Sequence, residues 1–149
     1  MKNNEKEFLI LRIDDSYNTN NKDLKAMASD GWRMNLNLHP SIEDGYIVYH
    51  REVIKKFKIK NHVQRTVNKN NRNLTYESLD IDFINDSKDI WMHKQIKFDN
   101  EVYQNPVRYG NDRLMKKYSK NLVIYYDQLK KTIYELEQYF DRLNSKKTK

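Results

Sequence analysis

Residues 7–14 read EFLILRID and residues 22–38 read KDLKAMASDGWRMNLNL. The first run is apolar nearly throughout and rich in β-formers, which predicts a strand. Asp15 to Asn21 is polar and turn-like. In the second run Leu24, Met27 and Ala28 fall at i, i+3 and i+4, the spacing of a short amphipathic helix. Gly31 stands where a left-handed residue closes a helix. Trp32, Met34, Leu36 and Leu38 then alternate with polar residues, as in a strand with one buried face. After a turn over Pro40–Gly45, YIVYHREV (Tyr46–Val53) predicts a further strand. Leu9, Leu11, Leu24, Met27, Trp32, Leu36 and Leu38 are expected in or near the core.

The opening strand, a short helix ending in DGW, the alternating segment and the closing GYIVYHRE together resemble a short bacterial domain-of-unknown-function family. Gly31-Trp32 and Tyr46 to Arg51 carry the resemblance, which spans about Glu5 to Val53. It implies a small sheet with one helix across it and no activity.

The C-terminal third carries a second decisive pattern. From about Asp112 to Asn144 no Pro or Gly interrupts the chain. Leu122, Tyr126, Leu129, Ile133, Leu136, Phe140 and Leu143 step alternately by four and three, a heptad seam. Each of these side chains contributes roughly 1.5–3 kcal/mol if fully buried, which a lone helix in water cannot gain. The seam is therefore expected to pack on the head, on another copy or on a partner. Tyr125, Tyr134 and Tyr139 widen the apolar face, which favours a broad docking surface over a narrow two-stranded coil.

Between these parts the charge is sorted. Ile54 to Thr75 holds no acidic residue, whereas Tyr76 to Ile90 carries Glu77, Asp80, Asp82, Asp86 and Asp89 against Lys88 alone. NKNNRN (Asn68–Asn73) is expected to be a polar loop. Leu79, Ile81 and Phe83 alternate with Asp80 and Asp82 as in a strand. IWMHKQIKF (Ile90–Phe98) has no decisive period. The organisation expected is an α+β chain: a small antiparallel sheet with one short helix in a head over 1–55, a basic-then-acidic connecting region over 56–105 that extends the sheet, and a long amphipathic helix over 111–145.

With a net charge of +7, a pI near 9.4 and a mean hydropathy of -1.04, the 149-residue chain is expected to meet an acidic partner. Arg51, Lys55, Lys56, Lys58, Lys60, Arg65, Lys69 and Arg72 are the candidates for contacting nucleic acid or an acidic protein, with a steep salt dependence for nucleic acid. The alternative is that these cations pair with the acidic stretch inside the molecule.

The absence of cysteine excludes a disulfide framework, a thiolate zinc site and a cysteine nucleophile. It fits a reducing compartment, and the short apolar run after Met1 is not a signal-peptide core. Both point to a cytoplasmic protein with no membrane span. His39, His50, His62 and His93 lack helical ligand spacing. Asp80 and Asp82 would share one side of a strand, as paired metal ligands do, but a solvated strand face explains them as well. With three glycines there is no Gly-rich phosphate loop or nucleophile elbow. No cofactor is expected.

The sequence thus favours a non-enzymatic module that binds a partner protein and self-associates through its C-terminal helix. Small, motif-poor chains of this composition are typical of phages and mobile elements. An inhibitor of a host or defence nuclease, such as a CRISPR effector, is one alternative. A nucleic-acid-binding accessory protein using residues 51–72 is another, and a metal-dependent nuclease is the third.

Overall fold

The computed structural model describes residues 6–13, 23–29, 31–99 and 106–147. The expected turn over Asp15–Asn21 lies outside them. The elements are β1 (Phe8–Ile13), α1 (Leu24–Ser29), β2 (Trp32–Arg33), a 3-10 turn (Leu36–Leu38), β3 (Asp44–Tyr49), β4 (Glu52–Lys69), β5 (Arg72–Ile84), β6 (Val107–Gly110) and α2 (Asp112–Lys147). Six strands form one sheet in the order β2-β5-β4-β3-β1-β6. The chain is α+β, as its sequence predicts.

The sheet is mixed where an antiparallel one was expected. β1 runs parallel to β3, with Leu9 opposite Gly45 and Ile13 opposite Tyr49. A parallel neighbour requires a crossover, and the segment carrying α1, β2 and the 3-10 turn supplies it. The boundary expected at residue 55 falls inside β4, which continues the same sheet.

β1 is apolar but for Arg12 because both of its faces are covered. Leu9, Leu11 and Ile13 join Ala28, Met34, Leu36, Ile47, Phe57, Leu79 and Ile81 in a core on the α1 side. Phe8 and Ile10 join Tyr46, Val48, Val53, Trp91, Ile96, Phe98, Met115 and Tyr118 on the other side. The undecided Ile90–Phe98 segment is an irregular cover for this second face.

Four local readings are corrected. The alternation after Gly31 ends as a strand at Arg33. The Asn35 side chain accepts from the Asn37 N–H and starts the 3-10 turn instead, which leaves Leu38 73% exposed, outside the core. Gly31 is not left-handed. The α1 terminus is closed by the Trp32 indole, which donates to the Ala28 carbonyl at 2.8 Å. YIVYHREV is not one strand: His50 and Arg51 have φ of 50° and 63° and form a tight turn between β3 and β4. NKNNRN is likewise no loop. Asn70 and Asn71 (φ 54° and 62°) turn the chain directly from β4 into β5, using the tolerance of Asn for the left-handed region.

Candidate interaction surfaces

The basic and acidic stretches are the two strands of one hairpin, and their register separates the cations into two groups. Near the sheet they meet acids or rings. Lys56 lies 2.8 Å from Asp89 and 3.7 Å from Asp86. Lys58 stands opposite Asp82, which also lies 3.8 Å from Lys60 and 3.6 Å from Lys25. Lys55 covers the Phe83 ring, and Arg51 lies over the Tyr125 ring at 4.7 Å.

From Arg65–Tyr76, the pair beside Arg33 at the end of β2, the hairpin continues as a ribbon of five residue pairs to Lys69–Arg72, about 17 Å long at the rise of a strand. Directly paired residues share a face, so Arg65, Lys69 and Arg72 lie together with Tyr76, Val67 and Leu74. Arg65 stacks over Tyr76 at 5.5 Å. Among the described residues no carboxylate lies within 4 Å of these three cations. The opposite face carries Thr66, Asn68, Asn73 and Thr75.

Glu77, one acid of the acidic stretch by sequence, holds the ribbon's root. It is fully buried. Its carboxylate accepts from the Leu36 N–H at 2.7 Å and from Gln64 Nε2 at 3.1 Å, and lies 2.8 Å from His62 Nδ1. Gln64 Nε2 also donates to Asn35 Oδ1 at 2.9 Å. One carboxylate thus ties the 3-10 turn to β4. Of the other histidines, His39 stacks on Tyr109 and His50 on Tyr49.

The acidic stretch is absorbed structurally. Asp89 accepts from Tyr46 Oη and the Trp91 N–H, both at 2.8 Å, as well as pairing with Lys56. Burial alone would raise its carboxyl, but the hydrogen bonds from Lys56, Tyr46 and Trp91 hold it below the usual range. Tyr46 is pushed up, first by burial and then by Asp89. Asp80 and Asp82 are both exposed. Among the described residues no group of three or more His, Asp or Glu is placed to hold a metal ion.

Asp89→Asn is expected to lower stability by about 2 kcal/mol at pH 7. A carboxyl whose folded pKa is depressed stabilises fully above its ordinary value of 3.8 and loses that contribution as pH falls through the folded pKa. The gap between wild type and variant should therefore shrink below about pH 4, as urea titrations at pH 7 and pH 3 would record.

α2 begins docked and ends free. Asn111 caps it through the Leu114 N–H at 2.9 Å, and Trp91 Nε1 donates to Asp112 at 2.8 Å. Met115, Tyr118 and Leu122 are buried on the head. Asn121 donates to the Lys97 carbonyl and to Asp99. Tyr125, under Arg51 and Lys97, is the last residue held this way. Beyond it Tyr126, Leu129, Ile133, Leu136 and Phe140 are 40–58% exposed, and Leu143 is half-buried. The structure therefore divides the predicted seam: Leu122 packs in cis, and the other six residues do not.

No protein-family model, curated protein or solved structure matches the chain. No described helix is long and apolar enough to cross a membrane.

Proposed function

We propose that this chain is a non-enzymatic interaction module, a folded head from which a helix projects to dock on another protein. One observation carries the reading. From Tyr126 to Phe140 the helix keeps an unbroken apolar seam in solvent, and a helix with that seam uncovered gains nothing from it. The basic ribbon would contact an acidic surface of the partner. In its narrower form, the partner is a nuclease or its nucleoprotein complex, and the chain inhibits it. The composition suits a phage or mobile-element protein acting in the cytoplasm. The test is affinity purification from a bacterial host lysate with wild type, Ile133→Glu/Leu136→Glu and Arg65→Glu/Lys69→Glu/Arg72→Glu. The reading expects a partner that one of the variants loses; no partner, or one retained by both, would contradict it. A cleavage assay with a CRISPR effector checks the narrower form.

A second reading is favoured by the placement of Arg65, Lys69 and Arg72 on one ribbon face beside Tyr76. A two-stranded ribbon fits the major groove, so the chain would bind duplex nucleic acid. Three phosphate contacts predict about 40-fold weaker binding at 200 mM than at 50 mM salt. Fluorescence anisotropy with a labelled duplex measures this, and the triple Glu variant should abolish binding. Binding indifferent to salt would rule the reading out.

A further inference from the structure

The free seam has a pattern that selects its cover. We propose that a second copy of this chain closes it, the two helices running antiparallel with Ile133 of one copy opposite Leu136 of the other. The proposal deepens the interaction reading above by naming an occupant.

Leu129, Leu136 and Leu143 occupy one heptad position, and Tyr126, Ile133 and Phe140 the other. In an antiparallel pair each layer joins one position to the other. The stated register sets Tyr126 opposite Leu143, Leu129 opposite Phe140 and Ile133 opposite Leu136, twice over. The five exposed seam residues and the half-buried Leu143 are then covered. A shift of one heptad in one direction would pair Phe140 with Leu122, which the head already buries. The opposite shift would set Leu129 opposite Lys147 in place of an apolar residue.

Charge selects the same arrangement. Lys130 and Glu137 flank one edge of the seam, both exposed, and neither has an ion-pair partner among the described residues. In the antiparallel register Lys130 of each copy faces Glu137 of the other, giving two symmetric pairs. A parallel pair would set Lys130 against Tyr125 and Glu137 against Thr132, with no opposite charges meeting. Of the aromatics that widen the face, Tyr125 is held by the head and Tyr139 falls opposite Thr132 of the second copy. Tyr134, 61% exposed, follows Ile133 on the outer flank and stays outside the pair, so what the second copy covers is the seam, one helix wide. The interface would bury on the order of 1,000 Å² in total, at the low end for specific association, so the pair should form with rising concentration.

The chain has no cysteine, which makes the test clean. Lys130 and Glu137 of one helix are about 10.5 Å apart along its axis, beyond the reach of a disulfide. Under oxidation Lys130→Cys/Glu137→Cys should form a covalent dimer, and Lys130→Cys or Glu137→Cys alone should not. Leu129→Cys should also form no covalent dimer, because its two copies would stand about 16 Å apart along the axis. Light scattering on wild type should rise toward twice 18.2 kDa with concentration, and Ile133→Glu/Leu136→Glu should weaken association by more than about 100-fold. A mass fixed at one copy, a larger assembly, or a Leu129→Cys disulfide would overturn the proposal. A wild type that stays monomeric yet binds a partner lost by Ile133→Glu/Leu136→Glu would overturn the pair and leave the interaction reading standing.

Discussion

Glu77→Ala is expected to lower the unfolding free energy by about 3 kcal/mol at neutral pH. The carboxylate is fully buried and serves the Leu36 N–H, Gln64 and His62 together. Its removal leaves two donors without an acceptor and a cavity between β5 and the 3-10 turn. Gln keeps one acceptor oxygen, so Glu77→Gln should cost about 1 kcal/mol. Guanidinium unfolding of the three proteins checks the order. A cost for Glu77→Ala below about 1 kcal/mol would mean that the carboxylate is not what holds the root of the ribbon.

Met115→Ala is the second large effect. Met115 is fully buried between α2 and the sheet face formed by Phe8, Ile10, Tyr46 and Val48. Truncation there should cost about 3 kcal/mol, the mid-range for a buried Met. A chain ended after Gln128 should differ from the full chain by less than about 0.5 kcal/mol, the scale of changes away from any packed feature. Thermal melts of dilute samples compare the two directly. Equal losses would mean that the distal helix is packed on the head.

What the sequence disclosed and what it hid follow from range. The seam, the apolar β1 run and the Leu79–Phe83 alternation are local periodicities, and each became an element. The pairing of β1 with β3 is not local, because no residue in EFLILRID specifies a parallel neighbour. Both tight turns were missed for want of glycine: His50-Arg51 and Asn70-Asn71 take positive φ without the Asn-Gly pattern that marks such turns. Leu36 and Leu38 alternate like a strand, but the side chain of Asn35 redirects the backbone. Among the candidate site residues, charge sorting was visible and its meaning was not. Only the register distinguishes Lys56, paired with Asp89, from Lys69 and Arg72 at the ribbon's tip.

Hydrogen exchange along α2, read by mass spectrometry at low and high protein concentration, tests the central claim most directly. The docked stretch, Leu114–Tyr125, should be protected at both. Residues 129–143 should exchange rapidly when dilute and become protected as concentration rises or a partner is added. Strong protection of 129–143 in dilute solution, unchanged by concentration or partner, would mean that the seam is covered in cis and would contradict the account.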